Sequence, residues 1–275
     1  MSKVVVVTGA STGIGYDAVR ALIESGFHVA ATVRKKEDKL RLEETFKKNV
    51  TVILLDVADF QQVDHFAKTL HDHGISQVHA LINNAGVALA APFADEDFHE
   101  IENIMRVNVL AVMRLTQVVI PLMAEDSRIV NISSVAGKIG TPFLAVYAAS
   151  KHAIEGFSDA LRKEMRLLKI KVIVVAPGSI QTPIWQKGFT EIKEKYNSSR
   201  FAQSFKIFMK IADASIRSAL PVSAVSDCIV KAVSDADPCY RYAPIPKKFV
   251  NWYLPLLLPQ RIYNYLTAKT LKLDS

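Results

Sequence analysis

Six short apolar runs recur along the chain without alternating polar positions: VVVVT at 4–8, HVAATV at 28–33, VTVILL at 50–55, ALINN at 80–84, RIVNIS at 128–133 and KVIVVA at 171–176. A strand with one wet face alternates, whereas a strand covered on both faces does not, so these runs predict a parallel sheet buried between helices. Between them lie amphipathic or apolar stretches of helical length, roughly 13–25, 37–47, 60–73, 97–123 and 145–168. Strand and helix therefore alternate. The pattern predicts a doubly wound α/β fold, which binds its ligands where strands end at their carboxyl sides.

Composition narrows this further. With 275 residues, 50% hydrophobic and 22% charged, the chain can bury a sizeable core, and no repeat, low-complexity tract or Pro/Gly/Ser linker divides it. One domain over residues 1–275 is expected. The two cysteines, Cys228 and Cys239, form no CxxC and have no ligand spacing with histidine, so neither a disulfide framework nor a metal site is expected. A net charge of +7 favours anionic ligands, but the basic residues are dispersed without an aromatic-interleaved cluster, and nucleic acid is not expected as a partner. The first apolar run is too short for a signal sequence or a membrane span, which points to a cytoplasmic protein.

The carboxyl ends of the strands carry the candidate chemistry. After the first strand stands TGASTGIG, whose Gly9, Gly13 and Gly15 lead into a helix, an arrangement that lets backbone N–H groups approach a pyrophosphate. VYAASKHA places Tyr147 and Lys151 four residues apart, on one face of a helix. Spacing alone proves little, because YLTAK repeats the interval at Tyr265 and Lys269 and chance supplies about one such pair in a chain of this composition. Tyr265 and Lys269 follow no strand, serine or glycine turn, and are expected to be surface or packing residues.

Taken together, TGASTGIG, Asp56 after the third strand, NNAG at 83–86, Asn108 in RVNVLA, Ser134 in NISSVAG, Tyr147 and Lys151 in YAASK, and PGSIQT at 177–182 resemble the short-chain dehydrogenase/reductase family in order and kind over about residues 3–183. The resemblance implies a single Rossmann-type domain with a seven-stranded parallel sheet, its last strand near Tyr240 to Ala243, and NAD(P)-linked interconversion of an alcohol and a carbonyl. It implies a catalytic set of Asn108, Ser134, Tyr147 and Lys151, with Asn108 distorting its helix and holding a water that links Lys151 to solvent. The cofactor would be bound by Gly9, Ser11, Gly13, Ile14 and Gly15 of the glycine turn, and by Arg34 and Lys35 after the second strand. Asp56, Val57, Asn84, Ala85 and Gly86 would follow, then Tyr147, Lys151, Pro177, Gly178, Ile180 and Thr182. A phenol ionises near pH 10, so exchange near pH 7 asks for about 4 kcal/mol of preference for the phenolate. Lys151, helped by an oxidised nicotinamide, is expected to supply it.

Cofactor choice turns on the end of the second strand. Val33 is followed by Arg34 and Lys35, so a carboxylate for a ribose 2′-hydroxyl is missing and a guanidinium suited to a 2′-phosphate is present. NADP(H) is expected, with NAD(H) left open because Thr12 stands where many NADP-binding relatives carry a basic residue.

Residues 183–220 are expected to fold over substrate, with Ile184, Trp185 and Phe189 facing Val87, Leu89 and Phe143 to make an apolar pocket. The tail 244–275 resembles those of retinol and hydroxysteroid dehydrogenases, which favours a small, bulky hydrophobic alcohol or carbonyl and a place in lipid metabolism. A 3-oxoacyl thioester reductase using Lys187, Lys193 or Lys195 is the alternative, and a nucleotide-sensing protein without turnover the non-enzymatic one. Pro255 and Pro259 break the apolar run of the tail, so it is expected to be a flap over the pocket, with peripheral contact to anionic lipid through Lys247, Lys248 and Arg261 as the other reading. Excess apolar residues over 97–123 and 145–168 predict a homodimer or homotetramer. Tyr147→Phe is expected to lose at least about 100-fold in turnover while Tyr265→Phe loses none, measured by NADPH consumption.

Overall fold

The computed structural model describes residues 3–182 and 195–274. Each of the six runs forms a strand, and a short seventh follows: β1 (Val4–Val7), β2 (His28–Val33), β3 (Val50–Leu54), β4 (Val78–Asn83), β5 (Met123–Ile132), β6 (Lys171–Val175) and β7 (Arg241–Tyr242). All pair in parallel, in the order β3-β2-β1-β4-β5-β6-β7. From β1 the chain steps outward to β3, then returns to lay β4 on the opposite edge of β1. At that reversal the connections leave in opposite directions and a crevice opens above the ends of β1 and β4.

The lack of alternation has its cause in two cores. Val5 and Val7 face one side with Val29, Ala31 and Ile82, while Val6, Ala30 and Leu81 face the other. The first side is covered by α1 (Gly13–Glu24) and α2 (Lys36–Phe46), the second by α3 (Phe60–Asp64) and α4 (Phe66–Asp72). The helix expected over 60–73 is thus two, joined at His65. The one expected over 97–123 runs as α5 (Phe98–Met105), a π-helical turn at Arg106–Leu110 and α6 (Ala111–Val119), which packs on the second core. Its stretch Phe98–Leu122 is long and apolar enough to cross a membrane, yet half of that apolar window is buried inside the protein.

The next helix, α7 (Ala145–Glu164), buries an unusually polar face that includes Tyr147, Ser150, Lys151, Glu155 and Ser158. Hydrogen bonds from the sheet fix it. Asn83 Nδ2 donates to Asn131 Oδ1 (2.8 Å) and to Thr116 Oγ1 (3.1 Å), and Asn131 Nδ2 donates to Ser158 Oγ (2.9 Å), so a chain of buried groups ties β4, β5, α6 and α7 together. In α8 (Ala202–Arg217), Phe205, Phe208 and Met209 pack with Phe143 and Leu271 in a separate cluster, and α9 (Ser223–Ser234) completes the first core. The tail follows β7 as a π-helical turn at Phe249–Tyr253, α10 (Leu254–Leu257) and α11 (Gln260–Leu271). Asn131→Ala leaves Asn83 and Ser158 short of a partner in a dry interior, and urea unfolding is expected to show a loss of about 1–3 kcal/mol.

Candidate active site

The crevice is a cleft of about 1010 Å³ at the carboxyl ends of the strands. Buried next to Gly9, which lines it, is Thr8, whose hydroxyl donates to Ile82 O (3.3 Å) and accepts from the backbone N–H of Asn84 and Ala85 (3.0 Å each). This draws the turn after β1 against the turn after β4. Gly9 has φ +66°, and a Cβ there would lie 2.8 Å from Ala85 Cα; one on Gly15 would lie 2.2 Å from Gly9 O. Two backbones touch only because no side chain separates them. The start of α1 has neither a side-chain cap nor an acidic residue in its first turn, so its N–H groups are left for an anion. These are the features a dinucleotide pyrophosphate needs, and the cradle fits one.

Around the cradle the cleft is lined by Ser11, Gly13, Ile14, Arg34, Asp56, Val57, Asn84, Ala85 and Gly86, and on its other wall by Pro177, Gly178, Ile180 and Thr182. Asn84 Nδ2 donates to Thr8 O (2.8 Å), and the Asp56 carboxylate accepts from Ala58 N (3.0 Å). Lys35 departs from expectation. It occupies the extended position that opens α2, is exposed, and forms no part of the cleft wall.

At the reacting end, α7 sets Tyr147 and Lys151 side by side, with Lys151 Nζ 5.8 Å from the phenol ring centroid and donating to Ile132 O (2.9 Å). Ser134 leaves β5 in extended conformation, accepts from Ala136 N (3.1 Å) and is hydrogen-bonded to the Tyr147 phenol. Burial pushes the Tyr147 phenol above its ordinary value, and the Ser134 bond draws it partly back. In the protein alone the net direction is therefore upward, opposite to the lowering expected from Lys151 and an oxidised nicotinamide. The ammonium is itself brought down to about 8 by loss of water, with the negative charge of Glu155 opposing that. Tyr265 and Lys269 have almost the same separation, 5.9 Å, but both are exposed. Desolvation and neighbours, not spacing, separate the two pairs.

Asn108 lies behind the cleft wall in the π-helical turn. Its Oδ1 accepts from Val87 N and its Nδ2 donates to Val87 O, both at 2.9 Å, and Nδ2 also reaches Ser150 Oγ (3.1 Å). The widened turn is what carries a helix side chain that far into the loop. Ser150 in turn donates to Tyr147 O (2.7 Å), so Asn108 braces the loop after β4 against the turn that bears Tyr147 and Lys151.

The family model described as short chain dehydrogenase matches residues 3–193. The chain is 32% identical over 274 residues, 97% of its length and 96% of the relative's, to the NADPH-dependent 3-dehydrocapnine reductase of Ornithobacterium rhinotracheale. It is 33% identical over 269 residues, covering 96% and 93%, to the uncharacterized oxidoreductase YbbO of Escherichia coli strain K12. Among solved structures, a short-chain dehydrogenase from Streptomyces avermitilis superimposes with a TM-score of 0.78 at 26% identity, over 97% of this chain and 95% of that one. The chain belongs to the short-chain dehydrogenase family.

The expected substrate pocket of this short-chain dehydrogenase needs correcting. Val87 lines the cleft, but Phe143, 5.3 Å from the Phe205 ring, packs into the aromatic cluster that reaches the cleft only through other members such as Phe208, and Leu89 rests against the same cluster. Ile184, Trp185 and Phe189 lie outside the described residues, as do Lys187 and Lys193. Among the described residues, the apolar wall comes from Phe208 and Ile211 of α8 and from Val250, Leu254, Leu258 and Leu266 of the tail. Arg41 was missed in the sequence: one Nη donates to Ser11 O (2.6 Å) and the guanidinium lies 5.7 Å from the Tyr16 ring centroid, beside the glycine turn. On an otherwise polar helix nothing in the sequence marks it out. Arg34→Ala is expected to raise the Michaelis constant for NADPH by at least about 10-fold more than that for NADH, since only the former loses a charge-assisted phosphate contact, whereas Lys35→Ala is expected to leave both unchanged in steady-state assays.

Proposed function

We propose that this short-chain dehydrogenase is an NADPH-preferring reductase of bulky hydrophobic ketones or aldehydes, able to run in reverse on the matching alcohols and to accept NADH less well. The observation that carries the reading is one cleft with two chemically different ends. A glycine cradle flanked by Arg34 lies at one end, an apolar wall built from α8 and the tail at the other, and Ser134 and Tyr147 stand between them. NADPH, when bound, supplies a hydride. Tyr147 gives its phenolic proton to the carbonyl oxygen, and Ser134 donates a hydrogen bond as negative charge builds there. Lys151 holds a positive charge against the phenol's turn, which favours the phenolate left after proton transfer. Asn108 keeps loop and helix in register through Val87 and Ser150. Arg34 takes the 2′-phosphate, with Arg41 bracing the turn at Ser11.

The name of the 3-dehydrocapnine reductase, an NADPH-dependent enzyme similar over nearly the whole chain, supports both cofactor and direction. The thioester alternative is the weaker one, because Lys195 lies 5.4 Å from the Tyr196 ring centroid and is not part of the cleft wall, which the tail makes apolar. A purely sensing role is disfavoured by burial: keeping Lys151 in a dry site costs free energy that binding alone does not require.

Two further roles belong to the same reading. Facing away from the cleft, the tail exposes Phe249, Tyr253, Leu256, Leu257 and Ile262. Lys247, Lys248, Arg261, Lys269 and Lys272 accompany them, and no acidic residue occurs from Pro238 to Leu273. This face suits peripheral contact with an anionic lipid surface, from which a lipophilic substrate could enter the cleft. The outward face of α7 includes the small residues Ala149, Gly156 and Ala160, all exposed beside His152 and Asp159, and it suits pairing with a second copy in a dimer or tetramer.

NADPH and NADH consumption across steroids, retinals, aliphatic ketones and acetoacetyl thioesters tests the main reading: turnover is expected for the bulky apolar carbonyls with NADPH, and turnover confined to the thioesters would overturn it. Truncation after Lys248 is expected to raise the Michaelis constant for bulky substrates while sparing small soluble ketones. Cosedimentation with phosphatidylserine vesicles is expected for the intact chain and to be lost in Leu257→Asp, whose side chain is 75% exposed and outside the cleft; binding that persists in the variant would remove the lipid role.

A further inference from the structure

One buried ionisable group has no part in the chemistry above. Glu155 is 3% exposed and lies one turn beyond Lys151 on the buried face of α7. Its Oε2 accepts from Arg241 Nη1 and lies 3.9 Å from Lys138 Nζ, while Oε1 has no hydrogen-bond partner among the described residues. Arg241 is held from two sides. Its backbone pairs β7 with Val174 of β6, and its guanidinium lies 5.1 Å from the ring centroid of Trp252, a buried residue of the tail. One carboxylate therefore sits between two cations that come from other elements, Arg241 and Lys138, and a third cation on its own helix, Lys151. Asp159, one turn further on, is 2.7 Å from Arg162 and exposed, and the other ionisable neighbour, Tyr147, carries no charge as a phenol.

We propose that Glu155 is a positioning residue for Lys151: its carboxylate, one turn away on the same buried helix face, is the counter-charge that holds the lysine's charge, and Arg241 sets how much of that negative charge Lys151 feels. Burial lowers Lys151 to about 8, and Glu155 is the charge that opposes the fall. The buried carboxylate is costly to keep, and its pairing with Arg241 and Lys138 is the condition for its presence. Too complete a pairing would cancel its effect on Lys151, and the open Oε1 and the 3.9 Å spacing to Lys138 leave it incomplete. Trp252 fixes the Arg241 guanidinium, so the tail that walls the cleft also holds the counter-charge behind the active site. The proposal deepens the reductase reading, which needs a charged Lys151, but it concerns a titration that can be measured without substrate or cofactor.

The test is the ionisation of Lys151 in the full chain, read by competitive labelling with trace acetic anhydride between pH 6 and 11 and peptide mass spectrometry. The midpoint of labelling reports ionisation, and the plateau reports access. A wild-type midpoint near 8 is expected. Glu155→Gln should move it down by about 0.5–1 pH unit, and Arg241→Gln should move it up by a similar amount, because the carboxylate is then less neutralised. Glu155→Asp, which keeps the charge, should stay near wild type. A merely structural role would change plateaus or melting temperatures without shifting midpoints in opposite directions. An unmoved midpoint in Glu155→Gln, or shifts of the same sign in the two glutamine variants, would overturn the proposal. Should Glu155→Gln fail to fold by circular dichroism, Glu155→Met, which fills the same space without charge, takes its place, and an unmoved midpoint there overturns the proposal. Absence of reductase activity in the wild type, with the predicted midpoints, would count against the reductase reading and leave this one intact.

Discussion

Everything at this site depends on keeping an ammonium and a phenol together away from water. Burial opposes charge on both, raising the phenol and lowering the ammonium, so a dry pair tends toward neutrality rather than toward catalysis. The surrounding structure acts against that tendency at each point. Ser134 hydrogen-bonds the phenol, Ile132 O accepts from the ammonium, and Glu155 stands one turn behind it. The exposed pair Tyr265 and Lys269 has the same spacing and none of this, which is why the motif has meaning only in its setting.

The sheet provides the setting. Reversal of strand order between β1 and β4 opens the crevice, and contact between Gly9 and Ala85 brings the two turns together beneath it. Holding α7 in place falls to a line of buried amides and hydroxyls, Asn83, Asn131, Thr116 and Ser158, whose directionality fixes a register that apolar packing alone would leave free to slide. The π-helical turn adds a second brace through Asn108. Fold and site are linked at these polar contacts, and the apolar cores on either side supply stability without deciding where Tyr147 points.

Much of this was legible in the sequence. Strands buried on both faces write themselves as unbroken apolar runs, so six were found within a few residues, and the motif order placed Gly9, Asn84 and Ser134 at strand ends and Tyr147 and Lys151 on one helix face, and all five line one cleft. What escaped depends on contacts distant in sequence. Two-residue β7 is too short to leave a pattern, and its place was given by family resemblance. Phe143 looked like pocket lining because it follows a strand-end loop, but its neighbours are Phe205 and Phe208, some sixty residues later. Residues of the tail line the cleft, yet which of them turn inward could not be read through two prolines and a π-helical turn. Arg41 and Arg241 resemble any other surface arginines until folding sets one beside the glycine turn and the other against Glu155.

The central claim is that burial holds the Tyr147 phenol up and that a positive charge brought close must bring it down before it can exchange protons near neutral pH. Ultraviolet difference titration of phenolate absorbance, wild type minus Tyr147→Phe, measures this with and without NADP⁺. The account predicts a Tyr147 midpoint above the ordinary tyrosine value for the protein alone and a clear downward shift on adding NADP⁺. A midpoint already below the ordinary value in the protein alone, or one that NADP⁺ leaves unmoved, would contradict it.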